Sequence, residues 1–409
     1  MIAADASGGE SPVRQLLGDR NFRNFWISQV LAFGINGTVR FMFVWLMVTL
    51  TDWSAAEGLI GIALGVPALL FSLPAGAWSD RVDRQKFCLV WMGASAVAFA
   101  LFAAVIGLDL VTPRLAGVAA VVVGSTLVIM QPNLNAIVPL LVPRERLMNA
   151  AALQNGGGQA AGFLGLAAGG GIIAGLGNAA GFALLAVVMS IAFLLMRQVT
   201  IPRAIETKAP AKLRTEIADG LRYGLGREPS RSLLITSLIL GSSFSVMQIA
   251  MPRVVEEEFG RGSLEAGLLL GMFAIGMLTS SIFVARRQGM RHGLNVAVFI
   301  GVGLGLGQLL LSLAPNYWAA MAIMVGWGIN AGIAIASHRT LLQQQTEPEM
   351  MGRVMGIMTL GFSGGLPFGA LTQAVVAPAV GPVLTMRYVG IATVAITAPL
   401  LLRSAVRTR

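Results

Sequence analysis

The sequence predicts an all-α membrane protein with twelve transmembrane helices in two pseudo-symmetric six-helix bundles. Of its 409 residues, 56% are hydrophobic and only 12% are charged, whereas soluble globular chains carry roughly 25% charged residues. The apolar residues come in runs of about 20, enough for a helix to cross a hydrocarbon core roughly 30 Å thick. A repeat within the chain predicts the division into two bundles.

Apolar runs separated by short polar connectors place the predicted spans along the chain. The first six are Asn24–Leu50, Gly58–Trp78, Phe87–Leu108, Leu115–Ile137, Asn149–Leu176 and Asn178–Met196. The second six are Ser232–Val254, Leu264–Ala285, Leu294–Ala314, Trp318–Leu342, Gly352–Val376 and Gly381–Leu402. We therefore expect a cytoplasmic N-terminal segment (1–23), an N-terminal bundle (24–197), a cytoplasmic linker (198–231), a C-terminal bundle (232–403) and a cytoplasmic tail (404–409).

Lysine and arginine gather in alternate connectors, which predicts the orientation of the chain. One side holds most basic residues, including those of both termini and the linker, while the other keeps only Arg114, Arg253, Arg261 and Arg387. Because basic loops stay in the cytoplasm, we expect a bacterial inner (plasma) membrane protein with both termini inside. The net charge of +10 follows this topology, so no nucleic-acid partner is predicted.

The linker itself contains a helical pattern. Leu213, Ile217, Leu221 and Leu225 recur at intervals of four residues among basic side chains. This spacing predicts an amphipathic helix. Two interpretations stay open: the helix lies against the membrane or the bundle, or it is a solvated connector.

The chain repeats itself at an interval of roughly 205 residues. Segment 54–58 resembles 263–267, segment 79–86 resembles 286–292, and segment 142–149 resembles 346–353. Such a repeat predicts two halves related by an axis along the membrane normal. Pseudo-symmetric channels share this property, so the repeat alone does not establish transport.

The connector after the second predicted span contains a Gly, then Asp-Arg, then a second basic cluster, in Gly76-Ala-Trp-Ser-Asp80-Arg81-Val-Asp83-Arg84. This pattern resembles the signature of the major facilitator superfamily. The flanking segments 70–76 and 142–145 are similar to the branch that holds the enterobactin exporter and macrolide efflux proteins. The resemblance covers nearly the whole chain and implies transport by alternating access.

The resemblance also implies roles for four residues of this connector, as a gating motif. Gly76 would allow close helix packing, and Asp80 would join a charge relay with Arg81 and Arg84 that latches the two halves in one state. Breaking such a latch would shift a conformational equilibrium. The alternative is that these charges only enforce topology.

The fifth predicted span resembles the antiporter motif of the same superfamily. Gly165, Gly169 and Gly170 match that motif, but Leu166 stands where the family has proline. Small residues at this spacing let helices approach closely. The departure at Leu166 leaves proton-driven export undetermined.

Polar residues at membrane depth are candidates for a substrate site, because burying an ionisable group there is costly. In the superfamily, spans one, four, seven and ten line the central cavity. The resemblance thus nominates Asn36, Arg40, Thr126, Gln131, Ser243, Gln248, Asn330 and His338, and Gln154, Asn155 and Gln159 of span five could join them.

Arg40 is the one ionisable candidate in the first span. Our hypothesis is that it faces the cavity and attracts an anionic or acceptor-rich substrate. The alternatives are a structural ion pair with Glu57 or with the Glu256–Glu258 cluster, or snorkelling toward the periplasm.

Proton coupling needs a carboxylate, and Glu57 and Glu265 are the candidates, at equivalent places near the outer ends of two helices. His338 is a titratable alternative, and helix capping is the competing interpretation for both acids. Neither a phosphate-binding loop nor a zinc-ligand spacing occurs in the sequence, so we predict no enzyme, metal or cofactor.

The leading functional prediction is a monomeric secondary transporter that exports a small amphipathic compound, either a drug or a siderophore-like metabolite, by alternating access. Mostly apolar spans with scattered amides fit a cavity of few fixed polar contacts. The alternatives are a lipid or lysolipid flippase, a nutrient importer and, from another class, a non-transporting membrane sensor or scaffold.

Overall fold

The computed structural model describes residues 12–79, 83–201, 222, 225–226, 230–286, 293–347 and 351–407. After the short α1 (Pro12–Gly18), the first half contains α2 (Arg20–Leu50), α3 (Ala55–Ser79), α4 (Arg84–Gly107), α5 (Pro113–Leu141) and α6 (Leu147–Arg197). The second half contains α7 (Ser230–Glu257), α8 (Ser263–Arg286), α9 (Gly293–Leu311), α10 (Tyr317–Gln345), α11 (Met351–Val380) and α12 (Pro382–Arg407).

The prediction of an all-α membrane protein is confirmed. Seven helices of the described ranges are long and apolar enough to cross a membrane. One of them is α6, whose 51 residues extend more than twice the roughly 30 Å of a hydrocarbon core. Gly177 interrupts α6 with a φ of 77° and a ψ of 174°, at the predicted junction of spans five and six. The full number of twelve spans stays a prediction.

Helix ends fall where capping residues stand. The Asp19 side chain accepts hydrogen bonds from the backbone N–H groups of Asn21 and Phe22 at 2.7 and 3.1 Å. Asp83 caps α4 in the same way, through Gln85 and Lys86. Each cap satisfies donors that the first helical turn leaves unpaired. The predicted linker helix lies outside the described residues except for residues 222 and 225–226, and the domain boundaries stay predictions.

The helices run alternately in opposite directions, which defines two sides. We call the side where α2 begins the terminal side and the side where α2 ends the opposite side. At the terminal side the Asn21 amide donates to the Thr200 carbonyl and accepts from the Thr200 N–H, both at 2.7 Å. This exchange ties the start of α2 to the chain just after α6, so one half begins and ends on the same side.

Helix packing follows the same plan in both halves. In the first half α2 packs chiefly on α6, α3 on α5, and α4 on α6. In the second half the corresponding pairs are α7 with α11, α8 with α10, and α9 with α12. Between the halves, α6 packs on α8 and α3 packs on α11. Each of these helix pairs thus has a counterpart in the other half, as the internal repeat predicts.

Glycines let the central pair of each half approach to backbone contact. A Cβ at Gly37 of α2 would overlap the Gly162 carbonyl of α6, and one at Gly165 would overlap the Gly34 carbonyl. In the second half, Gly241 faces the Phe362 carbonyl and Gly369 faces the Ser242 carbonyl. Gly241 and Gly369 follow Gly37 and Gly165 by the same number of positions, so the repeat preserves these crossings.

We predict that Gly165→Ala lowers the free energy of unfolding by about 1–3 kcal/mol, because the new methyl group forces the α2 and α6 backbones apart. Gly175→Ala is the matched control in the same helix, since a Cβ there meets no atom within 4 Å. Thermal unfolding of the detergent-solubilised variants measures the difference. Equal stability of the two variants would contradict the packing role of Gly165.

Candidate functional site

A cavity of about 450 Å³ lies between the two halves. The first half lines it with residues of α2, α5 and α6, and the second half lines it with residues of α7 to α11. On α2 the lining positions are Gln29 and Phe33, in the part of the helix nearer the terminal side. The cavity therefore sits on the terminal side of the membrane centre and is shared by both halves.

The first half contributes a wall of carboxamides. We call the six side chains Gln29, Gln131, Asn135, Gln154, Asn155 and Gln159 the amide wall. Gln154 donates from Nε2 to the Leu134 carbonyl at 3.3 Å and to Asn135 Oδ1 at 3.1 Å, which orients part of the wall. Asn135, Asn155 and Gln159 are exposed. Their amide groups make this side of the cavity polar without charge.

Facing it, mainly from the second half, is an aromatic cluster of Phe163, Phe244, Phe273, Trp327 and Phe362. The Phe273 ring centroid lies 5.4 Å from that of Phe244, 5.5 Å from that of Trp327 and 5.8 Å from that of Phe163. Phe362 joins through Phe244 at 6.0 Å. These are ordinary separations for tilted or edge-to-face rings, so the cluster is one continuous apolar surface.

Two lining residues carry buried polar atoms whose hydrogen-bonding capacity is unused. Gln29 Oε1 and Trp327 Nε1 have no hydrogen-bond partner in the described part of the chain. One is an acceptor on the amide wall and the other is a donor in the aromatic cluster. Buried polar groups usually find partners, so the two atoms are exceptions to that rule within residues that line the cavity.

The structure brings some of the predicted cavity residues together and leaves others apart. Gln131 and Ser243 line the cavity, as do the three amides of the fifth span. Among the described lining residues we do not find Asn36, Thr126, Gln248 or Asn330. The Thr126 hydroxyl donates to the Val123 carbonyl of its own helix at 2.9 Å. The side chain of His338 lies outside the described residues.

Arg40 lies on the same face of α2 as Gln29 and Phe33, further toward the opposite side. Its Nε donates to Asn36 Oδ1 at 3.2 Å, and no carboxylate of the described residues pairs with it. The alternative in which Arg40 pairs with Glu57 is wrong, because the Glu57 carboxylate binds a different arginine. Arg40 is half-buried and is not among the lining residues.

Beyond the cavity, toward the opposite side, two helix crossings join the halves directly. A Cβ at Gly58 of α3 would overlap the backbone of Ala374 in α11. A Cβ at Gly170 of α6 would overlap the Ser263 carbonyl and approach Gly267 in α8. Gly170 and Ala374 are again equivalent positions of the repeat. We call this region, where backbones of different halves touch, the closed end.

An ion pair adds to the closed end. Arg253 of α7 donates from Nε to Glu57 Oε1 of α3 at 2.8 Å and from Nη2 to the Thr51 carbonyl at 2.7 Å. The Arg253 and Glu57 side chains are 4% and 1% exposed. Nη1 of Arg253 also donates to the exposed Glu257, one turn along the same helix, at 2.9 Å. One guanidinium of the second half thus binds two groups of the first.

The remaining predicted site residues lie elsewhere. Glu265 is in the first turn of α8, and its backbone carbonyl accepts from the Tyr317 hydroxyl at 2.9 Å. Arg84 donates to the Ala136 carbonyl of α5 at 2.9 Å. Gly76 lies within α3, while Asp80 and Arg81 fall outside the described residues. The latch implied for this motif stays a prediction.

The three glycines of the fifth span have separate environments. Gly165 and Gly169 face α2 within the first half, where a Cβ at Gly169 would press on the Phe41 ring. Gly170 faces α8 in the other half. Two of the three therefore belong to packing within a half, and one belongs to the closed end.

The aromatic cluster and the bridging role of Arg253 were not predicted from the sequence. Aromatic residues in apolar spans carry no positional signal, because most of them face lipid or the interior of a bundle. Arg253 had a signal: it adjoins Pro252 within an apolar run and precedes three acids. We interpreted it only as one of few basic residues on its side of the membrane.

Comparisons with known proteins agree with this architecture. The family model described as Major Facilitator Superfamily matches residues 25–370 and 233–406. The staphyloferrin A transporter of Staphylococcus aureus (strain NCTC 8325 / PS 47) is 24% identical over 391 residues, which cover 92% of this chain and 91% of that protein.

Solved structures share the fold at low sequence identity. The nucleoside transporter NupG superposes with a TM-score of 0.71 at 15% identity, covering 95% of this chain and 98% of that chain. A bacterial homologue of the iron transporter ferroportin, in an inward-facing state, superposes with a TM-score of 0.69 at 14% identity over 93% and 98% of the chains. The protein belongs to the Major Facilitator Superfamily and is a membrane transporter rather than an enzyme.

Proposed function

We propose that the protein is a secondary active transporter that exports a small amphipathic compound, a drug or a siderophore-like metabolite, by alternating access. The observation that carries the proposal is the shared cavity, whose far end is closed by contacts between the halves. We place it as a monomer in a bacterial inner membrane with both termini, and hence the terminal side, in the cytoplasm. The cavity then faces the compartment from which an exporter loads.

Release on the opposite side requires the closed end to separate. The two glycine crossings are van der Waals contacts, which are individually weak. The buried ion pair between Arg253 and Glu57 is the specific polar contact to break, and separating it leaves charges that need water or new partners. Opening of this end would hydrate both groups as it exposes the substrate.

The chemistry of the substrate is supported by the cavity and by a relative. An amide wall opposite an aromatic cluster suits a molecule with one polar and one apolar face. The relative from Staphylococcus aureus is named for transport of staphyloferrin A, which supports the siderophore-like option. Arg40, on the cavity face of α2 without a carboxylate partner in the described part, is our candidate for attracting a negatively charged group of the substrate.

The direct test combines cells and reconstituted protein. Deleting the gene should raise the sensitivity of the host to at least one compound in a panel of amphipathic drugs and siderophores. Proteoliposomes containing the purified protein should carry that compound at least severalfold faster than empty liposomes. Altered sensitivity without any flux would instead indicate a sensor or scaffold. Faster uptake of the compound by deletion cells to which the gene has been restored would indicate an importer.

Coupling is assigned by the same flux assay with and without a pH gradient. We propose Glu57 as the coupling carboxylate ahead of Glu265, because protonating Glu57 removes one charge of the ion pair that joins the halves. Glu57→Gln should abolish stimulation of flux by the gradient, whereas Glu265→Gln should retain it. Full stimulation in the Glu57 variant would remove Glu57 from the coupling role.

The gating role of the ion pair has its own test. Glu57→Gln should destabilise the closed end by about 3 kcal/mol, which shifts the conformational ratio roughly 100-fold. The readout is labelling of Ile249→Cys, a position buried at the closed end, by an impermeant maleimide. Cys88 is buried and is replaced by serine in this background.

Glu257→Gln is the matched control for the gating test. Its carboxylate binds the same guanidinium but is 47% exposed and lies on the same helix as Arg253, so its loss should change the labelling rate little. Equally fast labelling in the two variants would mean that the ion pair between Arg253 and Glu57 does not keep the closed end shut.

A further inference from the structure

From the two unlike walls of the cavity we infer the substrate class: flat aromatic compounds with a hydrogen-bonding edge and no positive charge. This inference rests on the proposed transport function and narrows its substrate. The amide wall belongs to the first half and four of the five rings belong to the second, so a single molecule that binds both walls would also connect the halves across the cavity.

The aromatic cluster supplies the first requirement. Phe244 and Phe273 lie at its centre, with Trp327 and Phe362 beside them. Side chains of this kind bind planar rings by offset stacking or edge-to-face contact. A purely aliphatic polar molecule would leave this surface without a partner while losing its own hydration.

The amide wall supplies the second requirement. A carboxamide has two donors and an acceptor with two lone pairs, so the wall recognises hydroxyl, carbonyl and amide groups of a ligand. Asn135, Asn155 and Gln159 are the exposed members of the wall. A ligand that both donates and accepts along its edge would match their amide groups.

The charge of the lining supplies the third requirement. Among the described residues that line the cavity there is no aspartate or glutamate. A cation entering it would lose hydration without gaining a counter-charge. The ionisable group on a lining face of α2 is Arg40, which repels cations and tolerates anions. Attraction of a cation to an aromatic face, even in a desolvated site, contributes less free energy than removing the ion from water costs.

The test is equilibrium binding to the detergent-solubilised full chain. The probes are chloramphenicol, a neutral aromatic with amide and hydroxyl groups, and 2,3-dihydroxybenzoate, an aromatic anion. At least one should bind saturably, while ethidium, an aromatic cation, and citrate, an aliphatic anion, should neither bind nor compete. Failure of both aromatic probes to bind, or equal binding of ethidium or citrate, would overturn the inferred class.

Matched variants then locate the bound probe. Asn155→Ala should weaken binding about fivefold by removing a wall amide, whereas Asn149→Ala, exposed on the same helix outside the cavity, should not. Phe362→Leu should weaken binding roughly three- to tenfold, whereas Phe368→Leu, 57% exposed on the same helix, should not. Equal effects within either pair would place the probe outside the two walls.

Measurements of binding and of flux distinguish the inferred substrate class from the proposed transport function. Saturable binding with the expected variant pattern but no flux of the bound probe would leave the inferred site intact and contradict transport of that class. Flux of a compound outside the class, unaffected by Asn155→Ala and Phe362→Leu, would support transport and overturn the inferred substrate class.

Discussion

Backbone contact between helices is the constraint on which this structure depends. In a bilayer, apolar side chains gain little by leaving lipid for a protein interior, so helices associate through close packing and interhelical hydrogen bonds. Gly37 and Gly165 provide such contact within the first half, and Gly241 and Gly369 provide it within the second. Each half is thereby a rigid unit, and rigid halves are what a cavity between them requires.

Backbone contact at glycines also joins the two halves to each other, but at fewer positions. Gly58 and Gly170 bring α3 to α11 and α6 to α8 at the closed end, while large side chains occupy the interface at cavity depth. Phe244 and Phe273 keep ring centroids 5.4 Å apart there. Residue size therefore decides where the halves touch and where they leave space.

The two halves repeat their backbone contacts but not their chemistry. Asn36 and Arg40 of α2 occupy the positions that Leu240 and Phe244 occupy in α7, counted by the interval that relates Gly37 to Gly241. One half is consequently polar toward the axis and the other is aromatic. The symmetry of the scaffold serves movement, and the asymmetry of the side chains serves recognition.

Much of the fold was predictable from sequence because its causes are local. Runs of apolar residues, capping aspartates such as Asp19 and Asp83, and the break at Gly177 are visible along the chain. The amides of α6 were also identifiable, since polar side chains are rare at membrane depth. The aromatic cluster was not, because five rings from five helices converge only after folding, and no spacing marks the convergence.

The bridge formed by Arg253 shows the same limit at a single residue. Its partner Glu57 is 196 positions away, and nothing between them indicates the pairing. A sequence pattern identified the acid as a candidate and the base as a topology signal. Only packing of α7 against α3 connects them.

The closed end has one further property, which concerns its two sides. Glu265 stands at the position of the second half equivalent to Glu57, and its carboxylate forms no ion pair with the described residues. The seam beside α3 is therefore held by an ion pair, whereas the described residues at the seam of α6 and α8 meet through backbone and apolar contacts. The seam beside α3 therefore resists separation more strongly than the seam of α6 and α8. A path between the halves would widen away from the molecular axis, on the side of Gly170.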